Sequence, residues 1–314
     1  MADGKIIIDT KVDSSGAEKD TKSLSSKIGS MAKTSATAVA GMVAAATTAV
    51  ATLAGLSLKQ YAEYEQLTGG VETLFKNSSD KVMEYADNAY KAAGMSANEY
   101  MNTITGFAAS LLQGLGGDTE KAAKIGNMAV EDMADNANKM GTAIENIQNA
   151  YQGFAKQNYT MLDNLKLGYG GTKEEMQRLL IDAQKLTGIK YDISNFSDII
   201  EAIHAIQNEM GITGTTAKEA ASTIEGSLSM TKSAWTNLLT GMADDNADFD
   251  KLVTNFADSV STLGKNLLPR IEIIINGIGK LIDKLLPTII DKIPDLISSI
   301  PVSYTHLRAH ETTL

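Results

Sequence analysis

The sequence has no cysteine, few aromatic residues and prolines only near its end, and each shortage excludes a class of protein. Without cysteine, the 314-residue chain has no disulfide framework and no thiolate metal site. Aromatic residues make up 5% of the chain, whereas dense cores draw much of their buried area from aromatic side chains. All four prolines follow residue 268, so none interrupts a helix before it. An elongated helical assembly is therefore favoured over one dense globule.

Arginine is also scarce, and acidic residues outnumber basic ones. The formal net charge is −10, the sequence pI is about 4.9, and only three residues are arginine. Because nucleic-acid binding depends on clustered cations, we expect no specific nucleic-acid binding. The N-terminus has acidic residues where a signal peptide is basic, which argues against a secretory signal.

Apolar periodicity predicts a mainly α-helical fold. The β-branched segment KIIIDTKVD, residues 5–13, predicts one short strand. A long helix is predicted from residue 14 to about residue 67, and residues 61–242 have the pattern of amphipathic helices joined by turns. Within that stretch, helices are expected near 142–157, 172–187, 196–210 and 215–240.

An uncharged segment of 25 residues, Thr34 to Leu58, is long enough to cross a bilayer. It consists mainly of Ala, Thr and Gly, which insert less readily than Leu, Ile or Phe. Small residues such as Gly41 and Ala45 suit close packing between helices. Both a packing helix and a membrane span remain open interpretations.

From residue 262 onward an apolar stripe of Leu and Ile dominates, and the tripeptide Leu-Leu-Pro occurs at 267–269 and 285–287. Because proline fits the first turn of a helix but not its interior, several amphipathic helices joined by bends are predicted. Their apolar face needs a partner, which is another copy, the same chain further on, or a lipid surface.

Four regions follow from these patterns. Residues 1–60 hold the strand and the Ala/Thr-rich helix, 61–242 a helical region, and 243–301 the apolar helices. Residues 302–314 break the stripe abruptly and resemble the translation of a sequencing adapter. We leave this last region out of the functional reasoning and expect the native protein to continue beyond residue 301.

Capping residues mark several helix starts. Ser96 with Glu99, and Thr172 with Glu175, have the spacing of capping boxes. Asp118 is predicted to cap the next helix after a glycine-rich stop.

The segment LDNLKLGYGGTKEEMQRLL, residues 162–180, invites comparison with a phosphate-binding loop. That loop requires G-x-x-x-x-G-K-[ST] after a strand, but here Thr172 separates the last glycine from the lysine. A helix–turn–helix connection capped by Thr172 and Glu175 is predicted instead. Positive φ angles are expected at three glycines, Gly168, Gly170 and Gly171.

No set of residues indicates catalysis, a cofactor or a metal. His204 lies among isoleucines, where we expect a structural role at a helix border, and one histidine without cysteine supports neither a metal site nor a nucleophile–base pair. Glu131 and Asp132, like Asp244 and Asp245, are interpreted as solvated surface because sequence neighbours point to different sides of a helix. The single tryptophan, Trp235, is predicted to be a packing anchor rather than a ligand platform.

Several collinear pieces of residues 61–242 carry a resemblance to a known family. They include YAEYEQLTGGVETLF, MADNANKMGT, YQGFAKQNYTMLDNLKLGYGGT and the tryptophan segment GSLSMTKSAWTNLLTGM. This region resembles the core of phage tail tape-measure proteins, and the flanking apolar helices are similar to those around that core.

The resemblance implies a structural, non-enzymatic protein that lies in the lumen of the tail tube and sets its length. It implies contacts with the tail tube protein, tail assembly chaperones, tail tip proteins and other copies of itself. It places the protein in the virion and, during assembly, in the host cytoplasm, with transient contact with the host inner membrane. The alternatives are a membrane-active, pore-forming helical protein and a cell-wall-cleaving enzyme, for which the sequence offers no acid, base or metal constellation.

Overall fold

The computed structural model describes residues 32–299, with the side chains of residues 52–285 and 287. This part of the chain is mainly α-helical and contains no strand, which confirms the helical fold class. The strand predicted at residues 5–13 lies outside the described residues, as do residues 302–314.

The helices follow one another with short connections, and two 3₁₀ turns, Lys76–Ser78 and Leu162–Leu165, lie between them. The α-helices are α1 Ala32–Phe75, α2 Ser79–Ala92, α3 Ala97–Gly114, α4 Thr119–Met140, α5 Ile144–Phe154, α6 Lys173–Thr187, α7 Phe196–Glu209, α8 Thr215–Ser222, α9 Ile224–Gly241 and α10 Phe249–Ser299.

Helices α3 and α4 form the centre of the core. α3 contacts α1, α2, α5 and α7, and α4 contacts α5, α7 and α8. Apolar residues of α3 recur at steps of three and four, so Tyr100, Ile104 and Leu111 are all buried on one face. On α4, Gly126 admits the side chain of Ile104, because a Cβ there would lie 2.9 Å from Ile104 Cδ1.

Two of the predicted caps are confirmed. Ser96 forms a reciprocal capping box, in which its Oγ accepts from Glu99 N at 3.3 Å and its own N–H donates to Glu99 Oε2 at 2.7 Å. Asp118 caps α4 by accepting from Lys121 N at 3.0 Å. These bonds satisfy first-turn amides that have no partner within the helix.

The first helix extends past the predicted end near residue 67. Val71 and Phe75 are fully buried in the core, so tertiary packing holds the extra turns of α1. The predicted boundary between residues 60 and 61 falls inside this helix.

The single helix predicted for residues 215–240 is wrong, because the chain forms α8 and α9 there. Thr223 ends α8 and caps α9, with its Oγ1 accepting from Gly226 N at 3.0 Å. The two helices meet so closely that a Cβ on Gly226 would collide with the backbone of Glu219.

The prediction of several short helices after residue 262 is also wrong. One helix of 51 residues, α10, passes through Pro269, Pro287 and Pro294 without ending. A proline inside a helix removes one hydrogen bond and crowds the carbonyl four residues earlier. Around Pro269 the helix is exposed, so the freed carbonyl can bind water while the apolar residues on both sides maintain the helical repeat.

Candidate functional site

The glycine-rich loop before α6 has a different backbone from the one expected. Only Gly168 has a positive φ, at 86°, whereas Gly170 and Gly171 do not. Gly171 is required for space, because a Cβ there would collide with the carbonyl of Thr160. The other left-handed residue of this loop is not a glycine: Lys166 has φ 53°.

Only one of the two hydrogen bonds of the predicted capping box forms at the start of α6. Thr172 Oγ1 accepts from Glu175 N at 3.2 Å. The Glu175 carboxylate does not return to Thr172 N, which donates to Gly170 O. It accepts instead from Gly170 N at 3.0 Å and from Arg178 Nε at 3.1 Å.

This arrangement opposes phosphate binding at the loop. The hydrogen bond from Arg178, followed by that from Gly170 N, lowers the pKa of Glu175 below its ordinary value. The charged Glu175 carboxylate therefore already accepts the hydrogen bond from Gly170 N that a phosphate would need. Arg178 is also engaged within the loop, because it donates to Gly168 O at 2.8 Å. The loop is a connection between helices.

Trp235 lies at the surface between two helices. Its ring centroid is 5.2 Å from that of Phe256, and the ring planes are inclined by 49°. Its exposed fraction is 37%, so it is not a core residue. The indole joins α9 to the first turns of α10.

The interpretation of Asp132 as solvated surface is wrong. Its side chain is 1% exposed, and both carboxylate oxygens lie 2.9 Å from Nδ1 of His204 on α7. Glu131 is half-buried and accepts from Asn127 Nδ2 at 3.0 Å. Asp132 is drawn inward because it lies three and four residues after Ala129 and Met128, on the apolar face of α4.

Burial and the histidine act on the titration of this pair in opposite ways. The pKa of Asp132 is raised to about 6, because the effect of burial exceeds the lowering by the hydrogen bond from His204. The same hydrogen bond raises the pKa of His204, against the effect of its own burial. His204 is thus the hydrogen-bond partner of a buried carboxyl group, and its expected role at a helix border becomes a specific link between α4 and α7.

The sequence could not reveal this pair directly, since its members are 72 residues apart. One signal was present: Asp132, Asp135 and Asn136 all fall on the face of α4 that otherwise carries apolar residues. Buried polar groups on such a face require partners.

Asp135 is the second buried carboxylate of α4. It accepts from Thr216 N at 2.7 Å and also from Gly214 N, so it lies at the N-terminus of α8. A negative charge there is favourable because it faces the positive end of the helix dipole.

His204 lies at the edge of a surface cavity of about 380 Å³. Glu201, Tyr191 and Glu209 also line it. Among the residues that the structure describes, no group of three or more His, Asp or Glu side chains could hold a metal ion. The Asp132–His204 pair can exchange protons with solvent. No nucleophile of the described chain is hydrogen-bonded to this pair.

A run of exposed apolar residues lies on α10. Asn266 Nδ2 donates to Thr223 O at 3.1 Å, and every residue from Leu267 to Leu285 is exposed. Their exposed fractions reach 64% at Leu268. We call this segment the bare segment, and its large apolar residues are Leu267, Leu268, Ile271, Ile273, Ile274, Ile275, Ile278, Leu281, Ile282 and Leu285.

Within the described part of the chain, no helix has both the length and the apolar character needed to cross a membrane. The side chains of residues 34–51, which make up most of the uncharged segment, lie outside that part.

Comparisons with protein-family models, with curated proteins and with solved structures found no match to this chain. The function is therefore inferred from the bare segment of α10, from the helical body that carries it, and from the resemblance of residues 61–242.

Proposed function

We propose that this chain is a phage tail tape-measure protein, a structural component that scaffolds the tail tube and sets its length. One observation carries the proposal: a single helix of 51 residues starts on a compact helical body and is exposed and rich in apolar residues from Leu267 to Leu285. The resemblance of residues 61–242 to the family core supports it.

The physical properties of α10 suit a ruler. A helix rises about 1.5 Å per residue, so its length is proportional to the number of residues. From Leu267 to Ser299 the helix extends by roughly 50 Å at that rise. The helix continues through Pro269 and Pro287. A break at either proline would have made the end-to-end length of this segment variable.

The bare segment also suits association with further helices. Six residues recur at steps of four, three, four, three and four: Leu267, Ile271, Ile274, Ile278, Leu281 and Leu285. This spacing is the heptad repeat that lets helices supercoil. Leu268, Ile275 and Ile282 widen the stripe beside it, which is typical of helices that pack in bundles. Other copies of the chain, the tail tube protein, assembly chaperones and tail tip proteins are the proposed partners.

Changing the length of α10 in an intact phage tests the proposal. Deletion of residues 271–284 removes two heptads without changing the register, and duplication of the same residues adds two. Tail lengths in electron micrographs should differ between the two phages by roughly 42 Å, that is, 28 residues at about 1.5 Å each. A phage carrying Glu174→Ala, a change far from α10, is the control. Equal tail lengths in all three phages would reject the ruler.

The exposed isoleucines and leucines of α10 also favour a second candidate, a membrane-active helical protein. Flotation of the full chain with neutral liposomes separates the two. A ruler associates with itself in the absence of lipid and stays at the bottom of the gradient, whereas a membrane-active protein floats and releases trapped dye. Charge reversal at Glu272, beside the apolar stripe, controls for adsorption by charge.

A further inference from the structure

Helix α4 places three carboxylates within about one turn, where they face a single histidine. Asp132 is buried against His204, Asp135 is buried at the start of α8, and Glu131 is half-buried beside them. This cluster is unrelated to the bare segment and to the capped loop, and the proposed function gives it no role.

We propose that Asp132 and His204 form a proton-operated clasp that holds α7 on α4 more tightly as the pH falls. The geometry supports a clasp because both carboxylate oxygens lie 2.9 Å from the same ring nitrogen, which adds a charged hydrogen bond to the apolar packing of α7 on α4. With the imidazole neutral, the buried Asp132 carboxylate has no positive partner, which is a costly state in the interior of a protein.

Protons have a short path to the buried carboxylate. The His204 side chain is 35% exposed at its cavity, whereas Asp132 is 1% exposed behind it. The imidazole therefore separates the carboxylate from solvent, and its charge follows the external pH.

The neighbouring charged groups all raise the pKa of His204. Glu131 and Asp135 on α4 and Glu201 on α7 favour the protonated imidazole. Tyr151 of α5, which also interacts with Asp132, is fully buried, and burial raises its pKa far above the ordinary value, so it stays neutral. Within the described part of the chain, the charges that act on His204 are thus carboxylates.

The sign of the pH effect follows from the pKa directions. Burial raises the pKa of Asp132 from 3.8 to about 6, and the hydrogen bond with Asp132 raises the pKa of His204 above 6.5. Because both values are higher in the folded chain, the folded chain binds more protons than the unfolded chain. Stability from the pair is present at low pH and is lost as the pH rises, first through the pKa of Asp132 and then through that of His204.

Urea unfolding of the full chain between about pH 5 and about pH 8 tests the clasp. The ratio of folded to unfolded wild-type chain should fall by about tenfold or more over this range, since about one pKa unit separates pH 5 from the pKa of Asp132. Asp132→Asn should lose most of this dependence. The matched control is Asp182→Asn, at an exposed carboxylate of α6 whose pKa is lowered by Lys185, and it should follow the wild-type curve. An Asp132→Asn curve parallel to that of the wild type would overturn the proposal.

A second measurement covers the case in which Asp132→Asn does not fold. The imidazole of His204 is titrated by NMR in the wild-type chain, and its signal is identified among the three histidines by its loss in His204→Gln. A pKa above 6.5 supports the clasp. A pKa at or below 6.5 overturns it, because the buried carboxylate would then not hold the proton on the ring.

Discussion

Phe256 of α10 lies against Trp235 of α9, with ring centroids 5.2 Å apart. This pair joins the long helix to the body a few turns before the point where every residue of α10 becomes exposed. The direction in which α10 leaves the body is therefore set by its packing against α9, and the hydrogen bond from Asn266 to Thr223 lies at the end of that contact.

Replacing Phe256 by alanine should loosen this junction. Phe256 is partly buried, so we expect a loss of about 1–2 kcal/mol in the free energy of unfolding, below the 3–5 kcal/mol typical of fully buried phenylalanine. Since Trp235 is the only tryptophan, its fluorescence should shift to the red. Phe256→Leu is the control and should retain most of the stability. An unchanged emission maximum in the alanine variant would show that the rings are not in contact.

Replacing Thr172 by alanine should remove the cap of α6. Loss of a threonine cap costs about 1 kcal/mol, and Thr172→Ser should restore it because the serine hydroxyl can accept the same bond from Glu175 N. Chemical denaturation measures both variants. The wild-type melting temperature should not change on addition of ATP. A rise in melting temperature with ATP that disappears in Thr172→Ala would contradict the interpretation that this loop only connects two helices.

Two glycine-to-alanine changes should have opposite effects. At Gly126 the new methyl group would crowd Ile104, so we expect a loss of about 1–3 kcal/mol, reduced by a second change, Ile104→Val. At Gly277, in the exposed part of α10, nothing lies within 4 Å, and alanine should stabilise the helix by about 0.5–1 kcal/mol. Helical circular dichroism during thermal unfolding measures both. Equal effects at the two positions would be inconsistent with the packing of α3 on α4.

Charged residues in the apolar stripe should prevent self-association. Ile274→Asp combined with Ile278→Asp places two charges on adjacent heptad positions, so we expect the chain to sediment as a monomer at concentrations where the wild type forms oligomers. Glu272→Lys is the control, because it changes charge outside the stripe and should leave association intact. A wild-type chain that is monomeric at all concentrations would contradict this expectation.

The helices whose signals are local could be predicted with little error. Ser96 and Glu99 fixed the start of α3, and Asp118 fixed the start of α4, because a cap needs only a side chain and an amide three residues apart. The stripe on α10 could be recognised for the same reason. Helical periodicity depends only on the neighbours of a residue along the chain.

Long-range partners could not be predicted. The end of α1 depends on the burial of Val71 and Phe75, and the break at Thr223 on the close approach of α8 and α9. Local sequence also failed to predict that α10 continues through Pro269. A proline in the interior of a helix usually ends that helix, but the exposed helix α10 does not end there.

The sequence by itself determined the helical class, the main caps and the apolar stripe of α10, since these follow from spacings of three and four residues. Only the tertiary structure decided that Asp132 is buried and that His204 is its partner. Burial changes the free energy of a charge through solvent and opposite charges brought near by the fold, and neither is encoded in the residues next to it.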